Sequence, residues 1–406
     1  MSKRRWPLCA LLCLLLLQTG CWNRVELNDI AIISATGVDW RDGKWVLSYQ
    51  IVIPRAISSQ TVGNGAAAVN VFSTEGDNFR SAINKASEET SRRLYFSHNQ
   101  IVIIGQDAAR KGMSSLLEAY LRNHDSRETV GVFLSRDDAR TMLEQLIPLE
   151  QIPGAAIQRM VANEDQGSSS FRQMTIHSVL TDLLGSTKAT SIPGLIISGS
   201  GESTDSVKMI GKTSTPSKVR LHQLGLVRGD KLVGWLSDEQ SLGVMWLTDH
   251  VGKTTVSFDC TDGGKGKKSS AARIMQSNTK VRPVLQDGHW VMEVKVDAEG
   301  TLVEYSCDSD LTKPKVVSAA EKRIASAIRT DIMNGWNAVR KHNADMLGFG
   351  TLIHEHYPKR WKQDKENWDV LFPQTEVRLT VHMKLSSTGM SGKNFKGSQK
   401  KSGSSP

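Results

Sequence analysis

The sequence predicts an α+β, multi-domain protein: a mixed α/β N-terminal part, then an antiparallel sheet packed with a long helix. Three observations carry that expectation. Between residues 77 and 198, apolar runs of strand length alternate with stretches of helical period. From 221 to 304, strand-like segments follow one another through tight turns. From 318 the apolar period changes to that of a single helix of about 25 residues. A chain of 406 residues is also longer than one ordinary core covers. A Gly-, Ser- and Thr-rich stretch at 201–219 divides it. The expected organisation is a leader at 1–20, an N-terminal α/β domain at 21–200, a boundary at 201–219, and a C-terminal α+β domain at 220–385. That last domain is divisible into 220–315 and 316–385, and a disordered basic tail occupies 386–406.

Each element has its own reason. Runs 30–38 and 44–53 read as strands joined by the Asp42-Gly43 hairpin signal, and 56–70 read as an exposed loop. A helix over 77–93 sets Phe79, Ile83 and Ala86 on one face. A buried strand at 100–104 follows, then a helix capped by Asp107 that turns Ala109, Met113, Leu116, Leu117 and Tyr120 inward. After a strand at 129–134, Ser135-Arg136-Asp137-Asp138 has the form of a capping box opening a helix to 146. Pro148 and Pro153 flank a change of direction, and a helix at 175–184 and a strand at 194–198 complete the half.

The second half begins with strands at 221–227, 231–236, 254–260, 272–283 and 289–304. The turns Arg228-Gly229-Asp230 and Gln286-Asp287-Gly288 make this an antiparallel meander. Ser318-Ala319-Ala320-Glu321 is a capping box for the long helix. Its stripe of Ile324, Ile328, Ile332, Trp336 and Val339 suits packing on the sheet. A strand at 376–385 ends the folded part.

Charge locates the protein before any motif does. The formal net charge of +9 suggests a polyanion partner until it is placed along the chain. Lys3, Arg4 and Arg5 sit in the leader, and Lys393, Lys396, Lys400 and Lys401 in the tail; subtracting those seven leaves +2 on residues 22–385. The body is nearly neutral, which argues against a nucleic-acid groove. In the leader, the basic residues precede ten apolar residues, 8–17, too few to span a bilayer. Gln18-Thr19-Gly20-Cys21 then places a Cys directly after a small residue, the layout of a lipoprotein signal. Cys21 is accordingly the expected lipid-attachment residue and first residue of the mature chain. Two acyl chains anchor stably where one does not. No later run approaches the roughly 18 apolar residues that a span requires.

Of five cysteines, Cys9 and Cys13 leave with the leader and Cys21 takes the lipid. Cys260 and Cys307 remain, each ending a strand-like run, in an oxidising compartment. A disulfide between them and two separately buried thiols are both open, because sequence does not place their Cα atoms.

Catalytic signatures are missing. None of the six Gly-Lys pairs has the Gly five residues earlier that a phosphate loop needs; Val38, Ser206, Leu247, Asp259, Thr261 and Ser387 stand there. His354-Glu355-His356 lacks the i, i+4 spacing that brings two imidazoles to one metal. Gly199-Ser200-Gly201 is too compressed for a nucleophile elbow. The expectation is therefore no catalytic residues, no metal, no cofactor and no enzymatic activity.

A series of segments resembles one family. Gly20-Cys21-Trp22-Asn23-Arg24-Val25-Glu26-Leu27 is similar to the mature start of the Ger(x)C lipoproteins, with Asn23 where Asp is usual. Phe96-Ser97-His98-Asn99-Gln100 with the following strand, then Leu121, Arg122 and Arg127, continue the likeness. So do Leu224-Gly225-Leu226-Val227-Arg228-Gly229-Asp230 through Leu236, then Asp345-Met346-Leu347-Gly348-Phe349-Gly350, and then Tyr357-Pro358-Lys359-Arg360-Trp361-Lys362 with Trp368, Phe372 and Pro373.

The resemblance implies the C subunit of a GerA-type nutrient germinant receptor, lipid-anchored at the outer face of the spore inner membrane. It would act there with multi-pass A and B subunits as partners and no nucleic acid. A solute-binding lipoprotein of a transporter is the alternative; that class has two doubly wound lobes. Two readings stay open for Phe349, Trp361, Trp368 and Phe372, a closed core or a partner-facing aromatic surface. The same two apply to His98 and Arg122.

Overall fold

A computed structural model describes residues 29–58, 66–122, 125–260, 270–307 and 309–387. The leader, Cys21, the Gly- and Lys-rich loop at 263–268 and nearly all of the basic tail lie outside the described residues.

The first half is built on one large mixed sheet. Strands β1 (Ile30–Arg41), β2 (Lys44–Val52) and β3 (Val69–Gly76) form an antiparallel meander through the Asp42-Gly43 turn. β5 (Ile101–Gly105), β6 (Gly131–Ser135) and β7 (Ala189–Gly199) extend it in parallel from β1, and the short β4 (Arg93–Tyr95) pairs beside the start of β1. β8 (Ser217–Arg228) and β9 (Lys231–Leu236) then return antiparallel on β7. Here the structure departs from the sequence division. Residues 217–236, expected almost wholly in the second domain, hydrogen-bond into the first sheet, so the sheet runs through the expected boundary.

Helices cover both faces of this sheet, and the buried strands supply both from alternate residues. Val102, Ile104, Val132 and Leu134 face one cluster; Ile101, Ile103 and Phe133 face the other. The first cluster is covered by α1 (Phe79–Glu89), α2 (Gln106–Lys111), α3 (Ser114–Arg122) and α6 (Ile176–Leu184). The second takes α4 (Ala139–Glu144) and α5 (Pro153–Gly167).

Four local differences from expectation are instructive. One expected helix after β5 is two, α2 and α3, parted at Gly112. α4 opens without the Ser135 capping box: the carboxylate of Asp39 on β1 accepts from the backbone N–H of Ala139 at 2.8 Å and of Arg140 at 3.2 Å. Burial pushes the Asp39 carboxyl up to about 6 against those hydrogen bonds. α5 was not expected; Pro153 is its first residue, where a missing N–H costs nothing. Residues 54–58 form a short helical turn within the expected loop.

The second half holds β10 (Thr254–Phe258), β11 (Ser270–Gln286), β12 (His289–Glu304) and β13 (Glu376–Ser387) in that spatial order. β10 to β12 are antiparallel as expected, but β13 runs parallel to β12. The intervening crossover is long enough to return the chain to the same end of the sheet. Its main element is α8 (Pro314–His342), which starts at Pro314 one turn before the expected box. Glu321 is spent elsewhere, accepting from the Leu385 N–H of β13 at 2.9 Å. Arg329 donates to the Leu379 carbonyl at 2.6 Å. These two bonds occupy backbone groups of β13 that a sheet edge would otherwise expose.

The two halves share a core. α7 (Asp238–Leu247), unforeseen in the sequence, follows β9 and crosses α8 at Gly243 and Gly335. A Cβ at Gly243 would lie 2.0 Å from the Asp331 carbonyl oxygen, so only glycine permits the approach. The stripe Ile324, Ile328, Ile332, Trp336 and Val339 is buried in the cluster that also holds Ile101 and Phe133 of the first sheet. Arg273 on β11 also donates to the Gly167 carbonyl at 2.6 Å.

Candidate functional site

The residues of the C-terminal motif meet around Asp345. Its carboxylate accepts from the backbone N–H of Phe349 at 3.0 Å, of Gly350 at 2.7 Å, and from Trp368 Nε1 at 2.9 Å. It thereby caps α9 (Phe349–His356), which Gly348 enters in a left-handed conformation at φ 75°. Asp345 is 4% exposed, and burial pushes its carboxyl up to about 6 although every bond it accepts pulls the other way. A Cβ on Gly350 would lie 2.7 Å from the Trp361 ring. Trp336, Phe349 and Phe372 pack with ring centroids 5.4 to 6.2 Å apart, and Trp361 meets Trp368 edge-on at 5.3 Å. All five rings are buried. On α10 (Pro358–Asp364), Asp364 accepts from Trp290 Nε1 and Arg360 Nε, each at 2.9 Å. Of the two readings left open for these aromatics, the structure takes the closed core.

The N-terminal motif leads to an open surface. Between α1 and α3, above β1 and β2, lies a cleft of about 810 Å³. Val38, Leu47, Tyr49, Phe79, Phe96 and Tyr120 make its apolar walls. Several of its polar groups are engaged with residues behind the wall. Asn99 Nδ2 donates to Thr36 Oγ1 at 3.2 Å and to the Tyr120 hydroxyl at 2.9 Å, while Asn99 Oδ1 is buried with no partner among the described residues. Tyr49 pairs with Thr74 at 3.3 Å and Ser48 with Ser73 at 2.8 Å. Desolvation pushes the phenols of Tyr49 and Tyr120 up to about 12, so they act as neutral hydrogen-bonding groups and not as bases. Charges stand at the rim: Arg122 pairs with Glu118 at 2.8 Å, Asp125 with Arg93 at 3.7 Å, and Arg80 makes no ion pair among the described residues. Among the described residues the lining holds no His or Cys; its hydroxyls are those of Thr36, Ser48, Tyr49, Ser115, Tyr120 and Ser126, and its carboxylates Glu118 and Asp125 stand at the rim.

Sequence reasoning reached this cleft only in part. Phe96 and Arg122 belong to the segments that carry the resemblance, whereas Phe79 and Tyr120 have the spacing of ordinary inward residues. Half-exposed aromatics on two neighbouring helices have the same spacing as core residues. His98 is exposed beside Tyr95, outside the cleft.

The other expected residues fall as follows. Cys260 and Cys307 are bonded in the structure, with Cα atoms 5.2 Å apart. They follow β10 and β12, so the link spans the start of β11, where Ser270 Oγ lies 3.5 and 3.6 Å from the two sulfurs. His354 stacks on Trp361 and contacts Ser186, and His356 bonds the Leu352 carbonyl. Among the described residues no group of three His, Cys, Asp or Glu side chains is placed to hold a metal. No helix among them is long and apolar enough to cross a membrane.

The architecture defines an α+β class with two sheets on one shared core. A crystal structure of the GerBC protein has the same fold, with a TM-score of 0.52 and 16% identity over 86% of this chain and 96% of that one. Residues 23–197 match the family described as spore germination protein N-terminal domain, and 222–389 match spore germination B3/GerAC like, C-terminal. Spore germination protein KC of Bacillus subtilis is 31% identical, over 94% of this chain and 96% of its own length. Spore germination protein B3 of the same organism is 21% identical over 94% and 97%. The chain therefore belongs to the Ger(x)C family of spore germination proteins.

Proposed function

We propose that this protein is the lipid-anchored C subunit of a nutrient germinant receptor, held through Cys21 at the outer face of the spore inner membrane. It works there by contact with multi-pass A and B subunits and without catalysing a reaction. The observation that carries the reading is the near full-length relationship to spore germination protein KC. The leader and Cys21 support the anchor, since a charged n-region, a short apolar run and a small residue before Cys are what lipidation requires. A catalytic role finds no support in the cleft walls or in the engaged histidines. The alternative, a solute-binding lipoprotein, is not favoured, because its two doubly wound lobes contrast with two different sheets on one core.

The test is Cys21→Ala in sporulating cells, followed by membrane fractionation and a germination assay. The variant should fold, leave the membrane fraction and slow germination. A variant that stays membrane-bound and germinates normally contradicts the anchor.

A further inference from the structure

We propose that the cleft between α1 and α3 is the docking groove for an extramembrane segment of a membrane-embedded partner. That segment would present an apolar face and at least one acidic side chain. The proposal rests on the membrane-anchored reading above.

Three observations choose this occupant. The first is the distribution of polarity. The hydroxyl groups on the floor, those of Thr36, Ser48, Tyr49 and Tyr120, are already hydrogen-bonded within the protein, and Asn99 Oδ1 is not part of the wall. The polar groups left for an incoming ligand, Arg80 and the hydroxyls of Ser115 and Ser126, stand on the flanking helix α1, on α3 and beyond its end, and not on the apolar floor. An apolar centre with a charged rim is the anatomy of a protein interface, and aromatic side chains dominate its energetics. Two helices flanking an uncovered strip of sheet also suit the laying of an amphipathic segment into a groove.

The second is charge. Glu118 is paired with Arg122, and Asp125 with Arg93, whereas Arg80 makes no ion pair among the described residues. An acidic residue on the partner complements it.

The third is reach. Arg93 pairs in register with Ile30 at the start of β1, and the same Arg93 bridges to Asp125 in the cleft wall. The cleft is therefore next to the point where the described chain begins. Eight Cα-to-Cα steps separate Asp29 from Cys21. Even fully extended they span at most about 29 Å. A lipid on Cys21 would keep this end of the molecule close to the membrane and to a partner's extramembrane loops. The outer face of β11 to β13 offers a contrast. Arg282 pairs with Glu293, and Lys295 and His382 with Asp297, so that face presents charged side chains in place of an aromatic-walled cleft.

The experiment uses the full-length protein in spore membranes, carrying a photo-crosslinking amino acid at Arg80, at Glu118 or, as control, at Lys280 on the outer face of β11. Adducts with a multi-pass receptor subunit from positions 80 and 118, and none from 280, are expected. A membrane-bound chain with no subunit adduct from the cleft, equal adducts from position 280, or adducts of only lipid or small-molecule mass overturn the docking groove. A chain recovered outside the membrane fraction overturns the anchor, and the groove with it. As a second measurement, Arg80→Glu should lose copurification of the subunit while melting at the same temperature as the parent protein. Undiminished copurification counts against the proposal.

Discussion

The first half keeps aromatic side chains around an open cleft, whereas the second half folds them onto one another. Tyr49, Phe79, Phe96 and Tyr120 line a space of about 810 Å³. Trp336, Phe349, Trp361, Trp368 and Phe372 are buried around the Asp345 carboxylate, which fixes one helix start and one indole. Both halves contain residues that the family resemblance singled out, so a shared motif does not by itself mean a shared role. In the second half the motif explains how the fold closes. In the first it marks a surface left unclosed.

The largest loss of stability is expected at the disulfide of the second half. Replacing Cys260 and Cys307 with Ser releases a link between residues 47 apart. The chain-entropy estimate for such a loop is about 4 kcal/mol. Urea unfolding should show a loss of that order, with amide exchange rising first around β10 and the end of β12. An unchanged midpoint would mean that the closed half does not depend on its staple.

Asp345→Ala comes next. It leaves two backbone N–H groups and the Trp368 indole buried without an acceptor, at a cost of about 3 kcal/mol. Chemical denaturation checks it; a loss under half that size would show that water replaces the carboxylate.

Asp39 and Asp345 share a sign that acid titration can read. Both carboxyls rise from 3.8 to about 6 in the folded protein because burial disfavours the charge. The folded state therefore holds these protons more tightly than the unfolded chain does. Their contribution is fully present below pH 3.8 and is lost as pH rises through about 6. Melting measured across that window should fall with rising pH from this source, and Asp345→Asn should flatten the slope. A slope identical in the variant would remove Asp345 from the account.

The smallest effect is expected in the cleft. Tyr120→Phe removes the acceptor for Asn99 Nδ2 and should cost about 1 kcal/mol. A larger loss would place Tyr120 among the closing residues and blur the contrast between the halves.

Much of this was legible along the chain because it is local. The α8 stripe, the Asp42-Gly43 hairpin and the buried strand at 101–105 all declare themselves by period or turn chemistry. What stayed hidden is non-local. The cap of α4 comes from Asp39, a hundred residues earlier in sequence, so the nearby Ser135 was a decoy. The Ser318 box was misleading for a similar reason, since Glu321 serves the edge of β13. α7 has no amphipathic stripe because Ser241 and Gly243 to Leu247 are buried together, which conceals its period. β13 has the same residue pattern whether it runs parallel or antiparallel. The cleft was half legible, since its aromatics look like core residues until the helices are placed.

The central claim is that the open first-half surface is the working one. It is tested most directly by comparing germination of spores carrying Ala119→Trp, which fills the cleft, with spores carrying Lys280→Glu on the outer face of the second sheet. Both variants should be present at parental levels with matched melting temperatures. The account predicts slowed nutrient germination for Ala119→Trp and a parental rate for Lys280→Glu; the reverse order, or equal rates, would contradict it.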